Sequence, residues 1–419
     1  MERQGRVFFL ILWLLFSPIS FFSQKSVKVD SLNFLLKIGK QDTNRVIRLC
    51  LLCHEYRIQG DFQKGLIYSQ QALQLASELN FDRGRADAYS SIANIYYSQN
   101  NYPEALENHR AALQMKEAIS DKRGMAATYH NIGAVYEKLG NYTKALESYS
   151  VSLALDDTIG DLNNSIKTHN NMGIIYEKQG DYEKAISNYS VALEQTESFI
   201  KTKIGPSSNA YMNLGNVYYH QGNLQMALEK QQASLKYEKD LNNKPGIADS
   251  YNNIGVIYER LHHYSKALSN HQSALEIRIE ISDKQGIAGS DNNIAIIYRK
   301  QERFADALSL LYSALAIWED LGDKHNICAC YINLGLIQTQ LNKMNDAERY
   351  FSKALQLSKE LGSKNLMIGS YRGLTTMSNL MAGSKGVSSK KREAYLLKSL
   401  EYYRLSVVAS DSLAKKYPN

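Results

Sequence analysis

"NNMGIIYEKQGDYEKAISNYSVA" occupies residues 170–192, with small residues at Gly173, Ala185 and Ala192 and aromatic ones at Tyr176, Tyr182 and Tyr189. The same spacing returns along the chain. Aligned on Gly173, the positions Cys53, Ala93, Gly133, Gly215, Gly255, Ala295 and Gly335 are all small. The step is forty residues, except for one of forty-two between Gly173 and Gly215, where the irregular "FIKTKIGPSS" stands at 199–208. Twelve residues after each lies a second small residue: Gly65, Ala105, Ala145, Ala227, Ala267, Ala307 and Ala347. Seven further on lies a third: Ala72, Ala112, Ser152, Ser234, Ala274, Ala314 and Ala354. Small residues let helix backbones approach closely. Tyr96, Tyr136, Tyr218, Tyr258 and Tyr298 follow the first small site by three residues, one helical turn on the same face.

Between the first two small sites the sequence predicts a turn. Gly60, Gly140, Gly180 and Gly222 suit the left-handed residue that ends a helix. Asp61, Asn101, Asn141, Asp181 and Asn223 follow as N-caps for the next helix, and Pro103 falls in a first turn, where its missing donor costs little. The pair His262-His263 stands at such a turn and reads as a turn variant rather than a metal site. A second loop follows the second helix, as in "SDKRG" at 120–124 and "SDKQG" at 282–286. Each repeat is thus helix A, tight turn, helix B. Neither helix could bury its apolar face alone, so stacked pairs share one continuous core.

Gly133, Tyr136, Gly140, Tyr142, Ala145, Tyr149 and Ser152 resemble the tetratricopeptide repeat signature, as do Gly173, Tyr176, Gly180, Tyr182, Ala185, Tyr189 and Ala192. The forty-residue step resembles the long-helix subclass of that family. The resemblance implies an all-α fold, a right-handed α-solenoid of stacked helix-turn-helix repeats, with helix A lining the concave face. It covers residues 46–381, eight repeats plus helix A of a ninth. A helix over 24–45 is expected to cap the array, and another over 399–419 to close it, after a basic Gly/Ser-rich loop at 382–398. Within that loop Lys385, Lys390, Lys391 and Arg392 read as solvated charges. The stretches 30–66 and 401–413 are similar to the ends of exported bacterial tetratricopeptide sensor modules. That similarity implies a signalling role, as the sensor module of a histidine-kinase-linked system, either cut off from its output or acting on a separate kinase; the 419 residues hold no kinase or DNA-binding motif of their own.

The N-terminus is different material. "MERQGRVFFLILWLLFSPISFFSQ" carries Arg3 and Arg6, then an apolar run from Val7 to Phe16 that is short for a membrane span. It reads as a signal peptide over 1–23, with an uncleaved tether as the alternative. The mature chain is therefore expected in the periplasm or secreted, with no membrane span. Formal charge is +7, with lysines and arginines interleaved among acids, which argues against a nucleic-acid stripe. Cys50, Cys53, Cys328 and Cys330 read as small packing residues, and no metal or cofactor is expected.

No HExxH, GxSxG or phosphate-cradling glycine loop is present, so a non-enzymatic role is expected. The Tyr-Glu-Lys triplets at 136–138 and 176–178, and Glu259-Arg260, read as a solvated edge. What recurs instead is an amide. Asn131, Asn171, Asn213, Asn253, Asn293 and Asn333 precede the motif small residue by two in six consecutive repeats. Each offers two donors and an acceptor. Such a ladder can pair with the backbone of an extended peptide, or satisfy groups within and between repeats; the two roles are compatible. His130, Asn170, Asn252 and Asn292 stand one step earlier, and Asn216 three later, where they should face the groove or its rim. The expected partner is a neutral or amphipathic peptide or protein segment. An assembly scaffold with no dedicated ligand is the other class the sequence allows.

Overall fold

In the computed structural model, residues 19–200 and 209–414 are described, and every regular element among them is a helix. The chain divides into two compact units, 1–175 and 176–419. The proposed signal peptide lies outside the described residues, apart from the start of the helix Ile19–Ile38.

In the first unit, Ile19–Ile38 is followed by the pairs Thr43–Ile58 with Phe62–Glu78, Asp82–Ser98 with Tyr102–Ala118, and Lys122–Lys138 with Tyr142–Ile159. The unit ends within Leu162–Lys178. The second unit holds Tyr182–Ile200, then Asn209–His220 with Leu224–Asp240, Lys244–Arg260 with Tyr264–Glu280, Lys284–Lys300 with Phe304–Leu321, and Lys324–Gln340 with Met344–Glu360. Lys364–Gly383 and Ser389–Ala414 complete it. Each unit is thus a stack of helix-turn-helix repeats, an α-solenoid. No described helix is long and apolar enough to cross a membrane.

The small residues do what their spacing implies. A Cβ added to Gly133 would stand 2.6 Å from the ring of Tyr149, which is fully buried, and one added to Gly335 would stand 2.7 Å from Phe351. Glycine there lets an aromatic ring from helix B lie directly on the backbone of helix A. Ala145, Ala185, Ala227, Ala267, Ala307 and Ala347 are all fully buried, so the second small site is also a close contact. Cys53 fills the first small site of its repeat, and Cys328 and Cys330 are buried too, in keeping with packing roles.

The turns are equally regular. Asp61, Asn141, Asp181 and Asn223 accept the capping bonds expected of them, from the amides of Lys64, Lys144, Lys184 and Met226. Asn101 makes no capping bond, and that helix starts with a proline in its first turn instead. His262 adopts the left-handed conformation with φ 59°, the position glycine holds elsewhere.

The C-terminal boundary differs from expectation. The last helix begins at Ser389, so the loop expected over 382–398 contracts to residues 384–388. The Lys391 amide donates to Ser388 Oγ at 3.4 Å, and Arg392 Nε donates to the Ala382 carbonyl at 3.2 Å. Lys, Arg, Glu, Ala and Leu are all good helix formers, and one serine suffices to start the run. At the other end the first helix stops at Ile38, and the break before Thr43 is closed by Asp42, which accepts from the Arg45 amide.

Candidate functional site

Three of the recurrent amides, Asn171, Asn293 and Asn333, reach from one A helix to the A helix before it. Asn293 Nδ2 donates to Asn252 Oδ1 at 2.9 Å, and Asn333 Nδ2 donates to Asn292 Oδ1 at 2.9 Å. The ladder residue of one repeat therefore binds the preceding residue type of the repeat before it. Register explains the pairing: forty-one residues separate the partners, one repeat plus one position. Asn253 instead donates to Gln231 Oε1 at 3.4 Å. Gln231 is fully buried and donates in turn to the Met212 carbonyl and to Asn216 Oδ1. In the first unit Asn171 donates to Tyr149 Oη at 3.3 Å and lies 3.4 Å from His130 Nε2. Asn131 and Asn213 make no side-chain hydrogen bond among the described residues.

Not every predicted site residue stands on that face. Asn170 is buried and donates to the Ile166 carbonyl of its own helix. His130 Nδ1 pairs with Thr168 Oγ1 at 2.8 Å, and burial pushes its imidazole down to about 4, with Lys167 adding to the shift. His130 and Asn216 are thus tied into the packing, while Asn252, Asn292, Asn293 and Asn333 form the clearest run.

In the second unit a pocket of about 390 Å³ opens on that run, lined by Asn252, Asn292 and Asn293 together with Asp249, Arg278 and Trp318. Arg278 is the residue that sequence reading missed. Its Nη1 donates to the Gly286 carbonyl at 3.1 Å and to Ser290 Oγ at 2.9 Å, and its Nη2 to Asp249 Oδ1 at 2.8 Å. It belongs to a wider pattern. Lys116, Asp156 and Glu238 hold the same register, four residues after the third small site, and all are buried. Lys116 Nζ donates to Ser90 Oγ and Thr128 Oγ1, Asp156 accepts from Asn164 Nδ2, and Glu238 accepts from Asn243 Nδ2. Burial lowers the pKa of the Lys116 ammonium and raises the Asp156 carboxyl to about 6. The signal was present: a position one turn beyond a buried small residue shares its face, whatever its charge. A second depression, of about 630 Å³, lies beside Glu302, Thr339 and Asn379 and holds no ladder residue.

The Tyr-Glu-Lys edge is less solvated than its composition suggests. Glu177 accepts from Tyr189 Oη at 3.1 Å, and Lys300 Nζ lies 2.9 Å from Glu259 Oε1, one repeat away. Burial raises the pKa of Glu177. These acids are partners between helices rather than free surface charges.

No curated protein matches the sequence. Among solved structures, the apo form of RapI is similar at 19% identity and a TM-score of 0.61, over 89% of this chain and 99% of that one. The apo form of the quorum sensor NprR from B. thuringiensis is similar at 14% identity and a TM-score of 0.59, over 80% of this chain and 99% of that one. A Rap protein complexed with competence and sporulation factor gives 13%, 0.56, 90% and 100% for the same quantities. At such identities the likeness concerns the fold. A family model for the tetratricopeptide repeat matches residues 49–118, 124–198, 207–280 and 286–360. With the forty-residue register, the glycine-on-aromatic contacts and that match over most of its length, the chain belongs to the tetratricopeptide repeat family.

Proposed function

We propose that this chain is a scaffold that holds an extended peptide or protein segment along the face of its A helices. The paired amides carry the reading. When Asn293 donates to Asn252 and Asn333 to Asn292, each pair spends one N–H and one carbonyl. The pairing fixes the orientation of the carboxamides, while Nδ2 of Asn252 and of Asn292 keeps its hydrogens and Oδ1 of Asn293 keeps its lone pairs. A peptide backbone needs a donor and an acceptor at each such station, and a pre-oriented amide loses less entropy on binding than a mobile one. The ladder is therefore structural and ligand-facing at once. We also place the protein outside the cytoplasm, on the strength of the basic and apolar N-terminus.

Asn213 and Asn253 are the least engaged members of the ladder in the second unit. Replacing both by Ala is expected to weaken retention of peptides on a random nonapeptide array about tenfold, while the melting temperature stays within about 2 °C. Loss of folding without selective loss of retention would instead assign these amides to structure alone. Export is checked by N-terminal sequencing of the protein recovered from the cell envelope fraction.

A further inference from the structure

We infer that the pocket at Asp249 takes a cationic side chain, a lysine or arginine of the bound segment. The inference rests on the peptide-binding reading and adds to it the chemistry of one subsite.

Three observations converge. The first is charge. Asp249 and Asp283 line the pocket against one guanidinium, that of Arg278, a net charge of −1. Arg278 is already committed, with Nη1 on Gly286 and Ser290 and Nη2 on Asp249. An incoming anion would meet two carboxylates and a cation whose outer nitrogens are already bonded. Asp249, by contrast, gives only Oδ1 to Arg278, and its side chain is 54% exposed. Its second oxygen makes no hydrogen bond among the described residues. A neutral segment lying over it could return at most a backbone N–H and would leave the charge unbalanced, whereas an ammonium or guanidinium returns both a hydrogen bond and the opposite charge.

The second observation is shape. Position 289 aligns with Asp249 of the preceding repeat and Ala329 of the next, yet it is glycine, and a Cβ built there would meet nothing within 4 Å. The φ of Gly289 lies outside the left-handed region, so the backbone does not require glycine. What glycine leaves is room beside the carboxylate of the adjacent helix. The third is the opposite wall. Trp318, Ala329 and Cys330 border the same pocket, so the methylene stem of a long basic side chain would lie on apolar atoms while its head reaches Asp249.

The test uses the full chain and an array of random nonapeptides. Every retained peptide is resynthesised with each arginine replaced by citrulline and each lysine by norleucine, which keeps shape and removes charge. Retained peptides are expected to carry a lysine or arginine whose neutral replacement weakens binding about tenfold. Asp249→Asn should weaken the charged peptides by the same factor and leave the neutral versions unchanged. Because Asp249→Asn also removes the charge that pairs with the buried Arg278, Gly289→Leu provides an independent check. It fills the open space, leaves the ion pair intact, and should cost the same binding without lowering the melting temperature. Peptides retained equally well with citrulline or norleucine, or equally well by both variants, would overturn the cationic subsite while leaving peptide binding in place. An array that retains no peptide at all would overturn the peptide reading itself, and this inference with it.

Discussion

Sixteen residues after the motif small residue, each repeat sends one side chain from helix B toward helix A. Tyr149, Gln231, His271 and Phe351 lie against Gly133, Gly215, Gly255 and Gly335. The glycine was legible in the sequence, but the identity of its partner was not, because the register carries aromatic, amide and imidazole alike. His271 is the costly choice. It is fully buried, and neither ring nitrogen has a partner among the described residues. Burial, with Arg278 nearby, pushes its pKa from 6.5 down to about 4. The sign follows. Between about pH 6.5 and 4 the unfolded chain binds a proton that the folded chain refuses. Stability is therefore full above pH 6.5 and falls as the pH drops toward 4, by on the order of 3 kcal/mol from this one group. His109 acts in the same sense in the first unit, where burial and Lys116 push it down to about 3. His271→Gln, patterned on Gln231, is expected to flatten part of the fall in urea midpoint between pH 7 and pH 4.5. Identical slopes for the two proteins would show that acid acts elsewhere, on the carboxylates.

Among the elements, the regularity lies in how helices stop. A left-handed residue closes a helix at Gly60, Asn80, Asn100, Ser120, Gly140, Gly160 and Gly180, every twenty residues. After the two-residue insertion the series resumes at Gly222, Asn242, His262, Ser282, Glu302, Gly322, Asn342 and Gly362. The glycines among these turns were readable from residue type. The asparagines share part of that signal, whereas Glu302 was readable only from register, because its residue type carries no preference for the left-handed region. The same limit hid the buried charges at Lys116, Asp156, Glu238 and Arg278: residue type points to the surface while position points inward, and position decides. A non-glycine side chain in the left-handed region costs about 1–2 kcal/mol, partly offset by the greater freedom glycine has in the unfolded chain. Glu302, at φ 60°, is the least suited member of the series. Glu302→Gly is expected to stabilise the protein by about 1 kcal/mol, read as a higher urea midpoint with unchanged m. The same change at Asn342, whose amide tolerates this conformation, should gain less.

At the scale of the molecule, repeat number is a variable the fold can change. Within the second unit each helix pair packs on the pairs next to it, through the forty-residue register that the sequence displays openly. The pocket at Asp249 does not follow that register, since it needs Asp249 in one repeat and Gly289 and Trp318 in the next, and no periodic pattern announces it. Fold and site should therefore separate under deletion. Removing residues 264–303 excises one helix B, one helix A and both turns, and joins His263 to Phe304, which takes the place of Tyr264 at the start of helix B. The remaining helices keep their alternation, and Leu311 arrives where His271 lay against Gly255. The shortened chain is expected to keep its helical content per residue and a cooperative transition, with a urea m-value lower by about a tenth, in line with the surface lost. It should also lose the cationic subsite, because Arg278 and Gly289 go with the deleted segment. Removing only 264–283, a single helix and its turn, places two A helices in succession and turns the apolar stripe of every later helix away from its neighbour. That protein is expected to lose its cooperative transition. If the forty-residue deletion unfolded as completely as the twenty-residue one, stacking between immediate neighbours would not be what holds the second unit together.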